Sequence, residues 1–329
     1  VIGRHRHLLG LEELSREEIL EVLGLATSMK EVLRRPLKKV PTLRGRAVVN
    51  LFYEASTRTR SSFETAAKIL SADALTWTSS GSSVSKGETL VDTARNLEAM
   101  RPDVIVIRHA SSGAPRLVAD KVRCAVVNAG DGAHEHPSQG LLDAYTLAEH
   151  FARVAGGGPG APADLGLLQG KTVAIVGDVS HSRVARSNLH CLPKLGVRVR
   201  VCGPPTMIPP GLEQLGAEVH IALRDAVAGA DAVMMLRIQH ERIGDPLIPG
   251  TREYSRVWGL DAGKAAAWLP PHCAILHPGP VNRGVELAPE VADGPRSVIL
   301  DQVENGVAVR MAILYLLAGG RAAEAGGPA

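Results

Sequence analysis

Aromatic residues make up only 3% of the 329 residues. So few rings exclude a core built on stacked aromatics, and with them the basic, ring-studded groove of a single-strand nucleic-acid binder. No strong charge excess is present either; the net charge is +3 and the pI near 8.7, a mild balance that suits small anionic ligands. No apolar run reaches bilayer length, the segment 311–318 coming nearest, so no membrane span is expected. The four cysteines, Cys124, Cys191, Cys202 and Cys273, show no paired spacing. They read as reduced, buried thiols, and with a polar segment at residues 1–7 they predict a cytoplasmic protein. Glycine-rich phosphate loops are missing as well. Gly170-Lys171-Thr172 resembles the end of a nucleotide loop, but its first glycine would fall at Leu165; the turn Asp178-Val179-Ser180-His181-Ser182 lacks the dinucleotide pattern. Both motifs are near misses that fail on spacing, so neither supports an ATP or nicotinamide enzyme.

What is present is aliphatic and alternating. At this length two domains are expected. Ser15 and Glu18 form a capping box before a helix whose apolar face holds Ile19, Val22, Leu23, Ala26, Met29 and Leu33. Strands are predicted at 46–53, 104–107 and 123–128, with helices near 60–70 and 88–101, then a helix from Pro137 to about Phe151. Residues 155–163, rich in Gly, Ala and Pro, read as a flexible surface connection. The second half repeats the alternation, with strands at 171–177, 197–202, 218–221, 232–236 and 273–276 and a helix over 182–195. A last helix spans 303–317, followed by a Gly- and Ala-rich tail expected to be disordered. Two parallel-sheet α/β domains follow, with ligands at the carboxyl ends of the strands.

The most informative segment is Glu54-Ala-Ser-Thr-Arg-Thr-Arg-Ser-Ser-Phe-Glu64. Ser56 to Arg60 pack three hydroxyls and two guanidiniums where a strand hands over to a helix. Such a place already offers unpaired N–H groups and a positive dipole end to an anion. A plainer alternative is a capped helix, with Ser56 or Thr57 as N-cap and both arginines solvated. His134-Glu135-His136 permits a metal pair, with His109, His181 and His277 as further candidates, but no carboxylate joins them at convincing spacing. His136 and Gln139, at the mouth of a helix, are better placed to polarise and read a small carbonyl group; a structural histidine is the alternative. Arg108, Arg183 and Arg237 with Gln239 each follow a strand, where forked donors suit carboxylate or phosphate. Lys86 lies in the polar loop 79–88, and His277-Pro-Gly-Pro280 forms a rigid turn after a strand.

Together these segments resemble the aspartate/ornithine carbamoyltransferase family over roughly residues 8–317. They are Ser-Thr-Arg-Thr-Arg at 56–60, Ser-Lys-Gly-Glu-Thr at 85–89, Arg108-His109, His-Pro-Ser-Gln at 136–139, Arg237-Ile-Gln-His-Glu-Arg242 and His-Pro-Gly-Pro at 277–280. The lysine loop and the Arg-x-Gln segment point to the aspartate branch. The ornithine branch carries a late His-Cys-Leu-Pro turn; His190-Cys191-Leu192-Pro193 falls inside a helix here, so Cys191 reads as coincidental. Residue 279 is Gly where some relatives carry Leu.

The resemblance implies two similar-sized domains, each a parallel sheet flanked by helices. It places a carbamoyl phosphate-binding domain at 1–150, an aspartate-binding domain at 151–301, a C-terminal helix at 302–318 that packs back on the first domain, and a flexible tail at 319–329. It implies transfer of a carbamoyl group from carbamoyl phosphate to the α-amine of L-aspartate, on the path to pyrimidines, with no cofactor and no metal. Ser56, Thr57, Arg58 and Thr59 would hold the phosphate; Thr59, Arg108 and His136 would meet the carbonyl oxygen. Gln139 and the carbonyls of Pro278 and Gly279 would read the carbamoyl NH₂. Arg183, Arg237 and Gln239 would clamp aspartate, and Lys86 would bridge both sites. Ser82 and Lys86 would reach a neighbouring subunit's site, implying a homotrimer with shared active sites. A regulatory chain or a dihydroorotase partner stays open, as do an ornithine or other amino-acid acceptor and a catalytically silent structural homologue.

Overall fold

The computed structural model describes residues 5–78, 88–238 and 250–324, the last five as backbone only. Ser82, Lys86 and Gln239 lie outside the described residues. Two compact units emerge, one of residues 1–142 with 303–329, the other of residues 143–302.

The first unit opens with α1 (Arg16–Arg34), and both bonds of the Ser15–Glu18 capping box form, the hydroxyl accepting from Glu18 N and the carboxylate from Ser15 N. Its sheet is all parallel, in the order β2-β1-β3-β4, from β1 (Ala47–Phe52), β2 (Asp73–Thr78), β3 (Val104–His109) and β4 (Ala125–Asp131). Intervening helices are α2 (Thr57–Ile69), α3 (Leu90–Ala99) and α4 (Ala114–Ala119), and α5 (Pro137–Ala152) follows β4. Val49, Leu51, Ile105, Ile107 and Val126 pack on one sheet face beneath Ala94, Val118 and Ala119. Aliphatic runs buried on both faces make such strands, which is why so few rings suffice.

The second unit carries β5 (Thr172–Val176), β6 (Arg198–Cys202), β7 (Ala217–His220), β8 (Ala232–Met235) and β9 (Ala274–Leu276), parallel in the order β7-β6-β5-β8-β9. Its helices are α6 (Arg183–Cys191), α7 (Leu223–Val227), α8 (Thr251–Val257), α9 (Ala262–Trp268) and α10 (Pro289–Ala292). Val176, Val233, Met235 and Ile275 pack with Ala226, Val227, Ala265 and Val291. The final helix, α11 (Ile299–Glu324), starts earlier and ends later than expected. It runs through Gly319 and Gly320 rather than stopping there, and Arg310 lies over the Phe63 ring at 5.1 Å, seating it on α2.

Two further departures have simple causes. The helix expected over 182–195 ends at Cys191, and Pro193 begins a separate single turn because it has no N–H to continue the ladder. After α5 the chain widens into one π-helical turn at Arg153–Gly157, where Gly156 takes φ +104°. No helix among the described residues is long and apolar enough to cross a membrane.

The two sheets share a device. Asp103, just before β3, accepts from Arg46 Nη1 at 2.8 Å and from the first N–H of β1, Ala47, at 2.9 Å. Asp231, just before β8, accepts from Lys171 Nζ at 3.1 Å and from the first N–H of β5, Thr172, at 2.9 Å. In each unit one carboxylate thus fixes the register of the strand that leads into the candidate site.

Candidate active site

In the first unit, β1 ends at Phe52 and α2 begins at Thr57, so residues 53–56 form the crossing. Chain order reverses across the sheet at β1, with β2 on one side and β3 on the other, the place where α/β sheets bind ligands. The first helical bond runs from Arg60 N to Ser56 O at 3.1 Å. The N–H groups of Thr57, Arg58 and Thr59 therefore precede the intrahelical ladder. Ser56 stands at the N-cap, yet its side chain makes no capping bond. Capping does not account for the hydroxyls. Thr57 and Arg58 are exposed, while Thr59 is buried.

Two buried side chains meet at this turn, and a third, Arg108, is tied to the crossing through Glu54. Thr59 Oγ1 lies 3.5 Å from His136 Nε2. Arg108, at the end of β3 and in register with Phe52, sends Nη1 to Ala129 O and Nη2 to Glu54 Oε1, both at 3.1 Å. The β3–β4 register slips between Ile107 and His109, a bulge in which Gly130 takes φ +114°. Bulges of this kind re-aim a side chain, and here the guanidinium plane is held from two directions. Gln139 is buried in the first turn of α5, its N–H donating to His136 O at 2.8 Å.

The turn carrying His136 is tied down by its neighbours. Asp131 accepts from Gly113 N at 2.7 Å, Asn128 Nδ2 at 2.8 Å, Glu135 N at 3.1 Å and His134 Nδ1 at 3.1 Å. Burial works against this carboxylate, but His134 and the other donors outweigh it and hold its pKa below the usual range. Glu135 accepts from Leu11 N at 2.9 Å and Glu12 N at 3.3 Å. The His134-Glu135-His136 triplet thus points three ways. Among the described residues no group of three or more His, Cys, Asp or Glu is placed to hold a metal.

The second unit repeats the reversal at β5, flanked by β6 and β8. Arg183 is the first residue of α6 and is buried, while the N-cap Ser182 accepts from Ala185 N at 3.1 Å. Arg237 is half-buried just past β8, where Leu236 N donates to Val176 O at 2.7 Å. The turn with Pro278 and Gly279 follows β9. Cys191 is fully buried at the end of α6. Burial pushes the Cys202 and Cys273 thiols up to about 12, so neither supplies a thiolate near neutral pH.

The chain matches the family models for the carbamoyl-P binding domain of aspartate/ornithine carbamoyltransferases over residues 6–149 and for their Asp/Orn binding domain over residues 169–317. It is 76% identical over 325 residues to the aspartate carbamoyltransferase catalytic subunit of Anaeromyxobacter sp. (strain K), covering 99% of each chain. The chain belongs to the aspartate/ornithine carbamoyltransferase family. The catalytic subunit of Syntrophotalea carbinolica is 56% identical, with 97% of each chain covered. Among solved structures, Trypanosoma cruzi aspartate transcarbamoylase in complex with carbamoyl phosphate and aspartate is similar at TM-score 0.81 and 28% identity, covering 94% of this chain and 95% of that one. Ornithine carbamoyltransferase from Thermus thermophilus is similar at TM-score 0.80 and 28% identity, covering 95% and 99%. Backbone likeness therefore does not separate the two acceptors within this carbamoyltransferase family.

Two further residues, which carry no role in the sequence analysis, hold members of the candidate site. Glu54 sits inside the hydroxyl-rich segment and orients Arg108; a carboxylate in an anion site is easily passed over. Asp131 holds the turn before His136, and its only sequence signal is Asp131-Gly132 at a strand end.

Proposed function

We propose that the chain transfers the carbamoyl group of carbamoyl phosphate to the α-amine of L-aspartate, giving N-carbamoyl-L-aspartate and phosphate in pyrimidine synthesis in the cytoplasm. The observation that carries this reading is the meeting of Thr59 and His136 at the start of α2, with Arg108 tied by Glu54 to the crossing that leads into it. The uncapped N–H groups of α2, with Ser56, Thr57, Arg58 and Thr59, take the phosphoryl oxygens. The amine attacks the carbonyl carbon, the carbonyl oxygen gains charge in the tetrahedral intermediate, and its collapse expels phosphate, which takes the amine proton. Thr59, Arg108 and His136 meet that oxygen, and one such donor lowers a barrier by about 3–4 kcal/mol. Gln139 reads the NH₂ group. No protein nucleophile is required; holding two reactants in line supplies roughly 7–11 kcal/mol.

Aspartate as acceptor is supported by chemistry and by kinship. Arg183 and Arg237 suit two carboxylates, whereas ornithine brings a second amine. The late turn is His277-Pro-Gly-Pro, with no cysteine. The relatives at 76% identity carry the aspartate name. Supplying carbamoyl phosphate with either amino acid decides the matter: carbamoyl-aspartate forms and citrulline does not. Preferential citrulline overturns the acceptor assignment, and no turnover with either favours the silent-homologue alternative.

Three copies sharing sites follow from the roles the family gives Ser82 and Lys86. Lys86→Ala and Arg58→Ala chains, each inactive alone, recover activity when mixed and reassociated; a mixture that stays inactive argues against sharing.

A further inference from the structure

The chain has only three tryptophans and four tyrosines, yet one of each meets a histidine at the carboxyl rim of the first sheet. The Tyr53 ring lies 5.0 Å from that of Trp77, at 53° between planes, and 5.0 Å from that of His109, at 60°. Strand register explains the row. Leu51 pairs with Trp77 and Phe52 with Arg108, so the residue after Phe52 falls beside His109. Alternation turns His109 to the sheet face that holds Ile105 and Ile107, and Arg108 to the other. Tyr53 and Trp77 pack on that same apolar cluster. The rings continue the core to the edge of the sheet, one at the end of each of β2, β1 and β3.

Backbone bonds fix the frame of the rings. Tyr53 N donates to Arg108 O at 2.9 Å, and Gly132 N to His109 O at 3.0 Å. Ser111 N donates to His109 Nδ1 at 2.9 Å. Because Nδ1 accepts, the ring proton lies on Nε2 and the imidazole is neutral. Burial keeps it so, holding its pKa below the ordinary value although Glu54 and Asp131 pull the other way. A cation here would compete with Arg108 for the Glu54 carboxylate; a neutral ring does not. Glu54 follows Tyr53 directly, and its Oε1 takes Arg108 Nη2 at 3.1 Å. A ring pair, Tyr53 with His109, and an ion pair, Glu54 with Arg108, therefore join the same two segments one residue apart.

We infer that His109 is a positioning residue for carbamoyl transfer: its ring braces Tyr53 and so keeps Glu54 on Arg108. The inference rests on the carbamoyl-transfer reading and deepens it, naming what holds the oxyanion donor Arg108 in line. The ring is the working part, and neither a charge nor the Nδ1 acceptor is needed. Without the ring, Tyr53 is braced from the Trp77 side alone, and the crossing 53–56 is free to turn Glu54 off the guanidinium.

Two substitutions separate the ring from the acceptor. His109→Phe keeps a neutral ring against Tyr53 and gives up the bond from Ser111, an exposed residue whose N–H turns to water. His109→Asn keeps that bond, since an asparagine oxygen accepts from the N–H two residues on, and gives up the ring. With both substrates saturating, kcat in His109→Phe stays within about twofold of wild type, whereas in His109→Asn it falls about tenfold, the effect of a misplaced donor. KM for carbamoyl phosphate and for aspartate changes little in either. In a Glu54→Ala background the asparagine lowers kcat by less than about twofold further, because the pair it would loosen is already gone. Equal kcat in the two variants overturns the inference. A tenfold fall that persists without Glu54 does so too, since it marks a merely structural defect. Where His109→Asn does not fold, Tyr53→Phe and Tyr53→Leu put the same question to the partner ring. Phenylalanine then keeps kcat and leucine lowers it; equal values overturn the proposal. A wild-type chain that carbamoylates no amino acid sinks instead the reading beneath it.

Discussion

The starts of α2 and α6 occupy equivalent places, each following the strand where its sheet reverses order, and each has serine at the N-cap. Ser182 uses its hydroxyl to satisfy Ala185 N, whereas Ser56 caps nothing. On the proposed reading, the first helix keeps its N–H groups and hydroxyls for an anion, while the second, its end closed by Ser182, binds through the Arg183 guanidinium. Phosphate, with three acceptor oxygens, suits a ring of N–H and O–H donors. A carboxylate, flat and two-oxygened, suits a fork. The proposed division thus rests on what sits in a single turn of one architecture.

The strongest test of this division compares Arg108 with Arg183. Arg108→Ala removes a donor to the developing oxyanion and strands Glu54, so kcat falls about 10²–10³-fold. Arg183→Ala acts mainly on KM for aspartate, raising it about 10–100-fold for the loss of charge-assisted bonds, with a smaller change in kcat. Steady-state kinetics with each substrate varied separate the two. Should Arg183→Ala weaken carbamoyl phosphate and spare aspartate, the assignment of anions to helices is reversed.

The shared carboxylates give the next effect in size. Burial pushes the Asp231 carboxyl up, but Thr172 N–H and Lys171 outweigh it, and its pKa lies below the ordinary value. A group depressed in the folded state contributes stability that is fully present above its unfolded pKa, about 3.9, and that is lost as pH falls through the folded pKa. Asp231→Asn therefore costs about 1.5–3 kcal/mol near neutral pH, and its gap from wild type closes below about pH 4. Urea unfolding at both pH values measures this; a gap that persists in acid would mean that packing, not charge, supplies the effect.

These comparisons show which features the sequence displays and which it conceals. Strands β1, β3, β4, β5, β8 and β9 were legible because burial on both faces demands unbroken aliphatic runs. β2 was not, because Asp73–Thr78 lies at a sheet edge with a largely exposed pattern and no such run. Arginines at strand ends were visible as cations without structural need. Glu54 and Asp131 were not, because each acts by holding another group, and the Glu54–Arg108 pairing joins residues 54 positions apart. Such pairings exist only once the sheet brings its strand ends together.

The smallest effect is the sharpest discriminator of the two helix starts. Ser182→Ala removes a cap bond and should lower stability by about 1 kcal/mol while leaving KM for carbamoyl phosphate unchanged. Ser56→Ala removes no cap bond, so its stability stays within about 0.5 kcal/mol of wild type, yet KM for carbamoyl phosphate rises. Thermal unfolding and steady-state kinetics on the two variants give four numbers, and only the crossed pattern agrees with the division drawn above. If Ser56→Ala destabilises the chain as Ser182→Ala does, the hydroxyl at α2 is a cap after all, and the phosphate must be held by Thr57, Arg58 and Thr59 without it.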